Sequence, residues 1–313
     1  MLRGGTVATA VGLVALLGLL LLVLAQGAAP AFARFGLSFL TGREWDPANG
    51  RFGALPFIYG TVVTSTIAIA LGLPISVGLA LLLSEVRSGY VRNPLTVLID
   101  LLAAIPSIVY GLWGLFVMAP FLNTYVAPLL GRTLGRVPVI GAVFQPTPAV
   151  GSYFNAGIIL AVMVIPIITA VTREVISIVP HDLREAALAL GATRYESIRI
   201  AVLPYARSGI VGATMLGLGR ALGETIAVTM LIGNGLGITP SLLAPGYTIP
   251  AVIANEFREP VSPLHYSALL ALAIVLVVIA FVLASLSRLL VRRTEERLKA
   301  PAEVADAPET GIA

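Results

Sequence analysis

REAALALGATRYESIRIAVLPYARSGIVGATMLGLGRALGET, residues 184–225, is the stretch from which the fold of this chain is read. Its first half is polar and short-helical and lies between two long apolar runs. Its second half is apolar, yet it carries Arg220 and Glu224 four residues apart, on one face of a helix. A polar hairpin between apolar runs points to docking outside a membrane. An ionisable pair within such a run points to something crossing it.

The surrounding composition agrees. Of 313 residues, 58% are hydrophobic and 12% charged, against about a quarter charged in soluble domains. A spanning helix needs about 20 apolar residues, and six stretches qualify: 6–25, 57–84, 95–120, 153–179, 205–232 and 264–290. The expected fold class is an all-α polytopic membrane protein with six transmembrane helices. Pro74, Pro106 and Pro166 fall inside three of them, where neighbouring helices can satisfy the freed carbonyls. The first run, with Arg3 before it and Ala31-Phe32-Ala33 after it, also fits a cleaved signal peptide. It exceeds the usual h-region of about 7–15 residues, so the expectation is a retained anchor.

Charge sets the expected orientation. Arg3, Arg87, Arg92, Arg173, Arg184, Arg194, Arg199, Arg207, Arg288, Arg292, Arg293, Arg297 and Lys299 fall on the side of the N-terminus. Arg34, Arg43, Arg51, Arg132, Arg136 and Arg258 fall on the other. The richer side is expected to be cytoplasmic, placing both termini and the 180–204 hairpin there, in a multi-pass protein of the bacterial inner membrane. The expected organisation is an anchor helix and external segment over 1–55, a core of five spans over 56–292, and a disordered acidic, Pro/Ala-rich tail over 293–313. The Gly/Pro-rich 121–152 stretch reads as an irregular or re-entrant external insertion.

Several functions are excluded. The pI of about 9.6 does not signal nucleic acid, because the arginines are dispersed between apolar runs without interleaved aromatics. The chain has no cysteine and only His181 and His265, which leaves no thiolate chemistry and no expected metal site or cofactor. Lys299, the sole lysine, is followed by Ala300, so no phosphate-cradling G-x-x-x-x-G-K-[ST] loop exists. The chain is therefore expected to be non-catalytic, with any ATP hydrolysis on another subunit.

Within the hairpin, Asp182 and Glu185 form a variant capping box that starts a helix. Leu183, Ala187 and Leu190 then share a face, and Gly191 suits a left-handed stop. Thr193 and Glu196 form a second capping box, and Pro204 opens the next span. Capping boxes also occur in ordinary loops, so spacing alone leaves a plain helical loop open. In the following span Arg220 is either locked to Glu224 in an internal salt bridge or lines a path as a planar donor to an oxyanion, with Glu224 holding it in place. Gly219-x3-Gly223 would admit a second helix closely. Asp100 reads as interfacial, Tyr110 and Trp113 as packing or cavity-lining, and His265 as interfacial with no special task.

These residues carry a resemblance. Glu185, Ala186, Ala187, Gly191, Leu203 and Pro204 match the E-A-A-x3-G-x9-I-x-L-P loop of ATP-binding-cassette importer permeases, with Ala201 in place of the isoleucine. GRALGETIAV (219–228), AIPSIVYGLWGLFVMAP (104–120) and PFIYGTVVTSTIAIALGLPISVGLALLLSE (56–85) resemble the C-type membrane subunits of phosphate importers, a likeness running over about 56–290. The resemblance implies a type I ABC importer permease fold, with the hairpin as the helix that couples to the ATPase. It implies that Arg220 and Glu224 take part in phosphate passage. The implied partners are a second related permease forming a heterodimer, two ATP-binding cassette subunits, a periplasmic phosphate-binding protein, phosphate and membrane lipid, and no nucleic acid. Sulfate and molybdate permeases share the loop and a similar arginine-bearing helix, which keeps another oxyanion as the alternative. An ion-driven secondary transporter would more typically show internal repeats with paired broken helices, and a membrane-embedded enzyme would need a nucleophile or metal cluster.

Overall fold

The computed structural model describes residues 2–86 and 88–305, with side-chain surroundings within 6–289. Arg87, the side chains of Arg3, Arg292, Arg293, Arg297 and Lys299, and residues 306–313 lie outside that description. Six helices are long and apolar enough to span: α1 (Leu2–Phe35), α2 (Leu55–Glu85), α4 (Ser107–Arg136), α5 (Tyr153–Ser177), α7 (Arg194–Gly223) and α10 (Pro263–Ala305). Among the described residues, four shorter helices and a single turn at Ser38–Thr41 join them: α3 (Gly89–Ala104), α6 (His181–Ala189), α8 (Ile226–Leu231) and α9 (Ile249–Glu256).

The expected span count is met, but three boundaries move for physical reasons. The third expected span, 95–120, is two helices. Pro106 lacks an N–H and disfavours helical backbone in the residue before it, so Ile105 is extended (φ −65, ψ 129) and α3 ends at Ala104. The spanning helix therefore starts at Ser107 and continues to Arg136, into the stretch expected to be irregular. Only 137–152 remains as 3-10 turns and loop. The fifth expected span, 205–232, breaks at Glu224, where the backbone is extended (φ −70, ψ 127), and resumes in α8. The last helix continues over 293–305, within the tail for which disorder is expected.

The core sits on α5. Its buried residues include Ile159, Leu160, Val164 and Ile168, enclosed between α2 and α7. The leucines of α1 around Leu13–Leu22 remain uncovered by the chain, as lipid-facing side chains should be. The helix docks on α10 through its C-terminal third, where Ala28 and Ala31 are fully buried. The Ala31-Phe32-Ala33 motif thus lies inside a packed helix.

The end of the bundle opposite the 180–204 hairpin is more built than the sequence suggests. Segments 141–154 and 231–244 interlock: Leu242 N–H donates to Val143 O (2.8 Å), Phe154 N–H to Leu242 O (2.8 Å) and Ser241 Oγ to Gln145 O (2.7 Å). A short hairpin, Trp45–Asp46 paired with Arg51–Phe52, seats Trp45 against Phe52 and Phe57. His265 is only 2% exposed there, stacked on Phe52. Its Nδ1 accepts from Val261 N–H (3.2 Å), which puts the ring proton on Nε2, facing Glu256 Oε2 at 2.8 Å. Trp45 Nε1 donates to the same oxygen at 2.9 Å. The expectation of an idle interfacial histidine thus gives way to a clamp joining the strand hairpin, α9 and α10. Glu256→Ala orphans two buried donors, each worth about 1–3 kcal/mol. A melting temperature of the purified complex lowered by several degrees is expected, and an unchanged one would discount the clamp.

Candidate functional site

The hairpin begins at Pro180, which occupies the N-cap of α6 with no side-chain cap. Asp182 therefore sits in the first turn and does not cap it, contrary to the expected first capping box. Its charge still opposes the positive helix end. The C-terminal end follows expectation. Gly191 has φ +88, and Ala192 N–H bonds Ala187 O while Gly191 N–H bonds Leu188 O, the two bonds of a Schellman stop. The Thr193–Glu196 capping box forms in both directions.

From there the chain does not pause. A π-helical turn, Ile198–Val202, carries α7 past Pro204, whose missing N–H and ring exclude the ordinary i→i−4 bond. The second arm of the hairpin and the fifth span are thus one rod. The expected separate short helix is its first turn.

The hairpin's apolar residues divide. Ala187 is buried, beside a small core of Ala80, Ile176, Val179, Val202 and Ala206. Leu190 is 90% exposed and Tyr195 72%, so the face expected to unite Leu183, Ala187 and Leu190 splits between the body and the open side. Glu185 and Ala186 lie on the exposed rim, and Leu203 and Pro204 are half-buried in the rod. A contact that local spacing could not reveal braces the hairpin: Arg184 Nη1 pairs with Glu85 Oε1 at the end of α2, 99 residues away. Glu85→Gln is expected to leave assembly intact, since a part-exposed pair is worth about 1 kcal/mol at most. It should raise the rate of amide hydrogen exchange in residues 181–197 several-fold, read by mass spectrometry; an unchanged rate would make the brace incidental.

Arg220 lies in the last turn of α7, half-buried. Its depth follows from packing. A Cβ on Gly217 would come within 2.6 Å of Ile168 and 3.6 Å of Val164, near the midpoint of α5, and Arg220 is one turn further on. Close approach of helices is realised here at Gly217. Gly219 and Gly223, the pair expected to serve it, meet nothing within 4 Å, and neither does Gly212. Tyr205, Ser208, Gly212, Leu216, Gly219 and Gly223 form one uncovered stripe beside the arginine.

The expected Arg220–Glu224 pair does not form among the described residues. The helix ends between the two, so Glu224 no longer shares Arg220's face. Its carboxylate, 8% exposed, turns to the start of α8 and accepts Ala227 N–H at 3.4 Å. The Nε of Arg220 is buried without a hydrogen-bond partner. Tyr110 lies within electrostatic reach of Arg220 and donates to Leu102 O at 2.8 Å. With Trp113, Ile105 and Leu102 it lines an apolar cavity of about 310 Å³. Asp100 is exposed on α3, not inside a span.

Six long apolar helices, with a polar hairpin that runs without a break into the fifth of them, make this a membrane-spanning protein. The family described as binding-protein-dependent transport system inner membrane component matches residues 72–296, and the chain belongs to it. It is 45% identical over 292 residues to the phosphate transport system permease protein PstC of Mesorhizobium japonicum, covering 93% of this chain and 89% of that one. The probable phosphate transport system permease PstC of Methanocaldococcus jannaschii is 37% identical over 239 residues, 75% of this chain and 74% of its own. Among solved structures, a chain of a bacterial alginate ABC transporter superposes with TM-score 0.60 at 20% identity, covering 91% of this chain and 93% of that one. One from the inward-facing MetNI methionine transporter gives 0.56 at 19%, covering 76% and 96%. At that identity the likeness is one of fold.

Proposed function

We propose that this chain is the PstC-type permease subunit of an ATP-driven importer of inorganic phosphate. The hairpin end faces the cytoplasm, in keeping with the arginine-rich side of the sequence. A separate ATPase docks on the exposed rim of α6 and its apolar Leu190 and Tyr195. A second, related permease covers the open glycine stripe of α7, and a substrate-binding protein delivers phosphate to the interlocked outer loops. Closure of the ATPases pushes the hairpin, and α7 transmits the motion as a rod to mid-membrane depth. There the oxyanion passes Arg220.

The observation that carries the reading is the arginine itself. A guanidinium at that depth costs a few kcal/mol unless something repays it, and among the described residues it has no acidic partner. An anion in transit and a polar partner across the glycine stripe supply what is missing. Glu224, turned to cap α8, shapes the break in the path. The names borne by the relatives favour phosphate over sulfate or molybdate. The test is uptake of radiolabelled phosphate in a permease-deletion strain carrying this chain with its partner subunits. Restored uptake that excess sulfate and molybdate do not reduce is the expected result. Competition by either would reassign the anion.

A further inference from the structure

A second basic site lies nearer the hairpin end, in a cavity of about 560 Å³ bounded by α3, the ends of α2 and α5, and the start of α6. No residue of α7 lines it. Arg173 stands near the level of Gly209, which packs on Val175. The 11 residues of α7 from Gly209 to Arg220 put the two sites about 16 Å apart along the bundle. The cavity thus stands apart from the path past Arg220, and its ligand chemistry does not depend on the anion that path carries.

Its chemistry is that of an anion receptor. Arg92 makes no ion pair among the described residues and lines the cavity with its whole guanidinium available. Arg173 spends one N–H on Thr96 Oγ1 (3.1 Å), which orients the fork and leaves four donors. Thr96's own hydroxyl proton and the Asn93 amide add neutral donors. The two serines of the wall do not contribute, since Ser84 donates to Leu81 O and Ser177 to Glu174 O. The carboxylates present do not cancel the site: Glu85 is taken by Arg184, and Glu174 is one exposed carboxylate against two guanidiniums. The remaining cluster matches the oxygens of a phosphate group.

The setting narrows the ligand. Helix α3 is amphipathic, with Tyr90 (95% exposed), Val91, Leu98 and Leu101 uncovered on one face and Arg92, Asn93 and Thr96 on the cavity side. Such a helix lies in the membrane interface with its polar face toward headgroups. We propose that this cavity binds a phosphate group at the membrane surface, presented either by an acidic lipid headgroup or by inorganic phosphate. Arg184, whose Nη1 pairs with Glu85, lines the same cavity, so an occupant bears on the hairpin's footing.

The test uses the assembled transporter, permeases and ATPases together, in an Arg220→Ala background that silences the main path. In nanodiscs of phosphatidylcholine with phosphatidylglycerol, native mass spectrometry counts retained phosphatidylglycerol. In nanodiscs of phosphatidylcholine alone, equilibrium dialysis with labelled orthophosphate counts bound phosphate. Adding Arg92→Gln and Arg173→Gln is expected to reduce one of these occupancies about tenfold, and the arm that falls names the source. Arg92→Lys with Arg173→Lys should keep most of the charge and part of the binding. The single Arg92→Gln changes an exposed side chain, so its expected several-fold loss is free of any folding defect. Occupancies equal to the parent in both arms, for the single and double variants alike, overturn the proposal.

Discussion

Replacing Arg220 by alanine is expected to abolish phosphate uptake, with a fall of about 100-fold or more, while the assembled complex stays as stable as the parent. Two charge-assisted hydrogen bonds from a guanidinium to an oxyanion are worth about 1.5–3 kcal/mol each, and about 1.4 kcal/mol is tenfold. Stability should not follow uptake down, because the side chain forms no ion pair among the described residues. Removing a charge from mid-membrane depth relieves a cost of about 2.5–3.5 kcal/mol on insertion scales. Arg220→Lys should fall between, since it keeps the charge and loses the fork. The exchange Arg220→Glu with Glu224→Arg should not restore transport, because the helix break already turns Glu224 to the Ala227 N–H and off the face of Arg220. Near-normal uptake by Arg220→Ala, or rescue by the exchange, would return the arginine to a structural role.

The second large effect is expected at Gly191. Its φ of +88 lies where a β-branched residue is badly strained, at a cost of about 1–3 kcal/mol. Gly191→Val therefore unwinds the Schellman stop and misaims α6 against the rod after it. Loss of ATPase subunits on co-purification and at least tenfold lower uptake should result. A Cβ at this position meets nothing within 4 Å, so the defect is one of backbone conformation, not of crowding. Gly191→Asn, which tolerates the left-handed region, should then retain most of both activities. Equal behaviour of the Val and Asn variants would refute the backbone origin of the effect. Leu190→Asp gives an independent check, because that side chain is 90% exposed and its loss harms nothing inside the chain. It should weaken ATPase retention with no change in permease folding.

Much of this molecule was legible in the order of its residues. Six apolar runs, the Gly191 stop, the Thr193–Glu196 box and the arginine stranded in the fifth run follow from hydropathy, backbone freedom and short-range hydrogen bonding. These are local quantities. Tertiary structure alone decided what depends on distant partners. Pro106 divides a run that is apolar on both sides of it, so hydropathy could not separate α3 from spanning α4. Arg220 and Glu224 keep helical spacing in the sequence, yet the backbone is extended at Glu224 and its carboxylate accepts Ala227 N–H at the start of the next helix. Glu85 meets Arg184, and Trp45 meets Glu256, only because the fold brings remote segments together. Periodicity along one helix carries no information about which other helix will lie beside it.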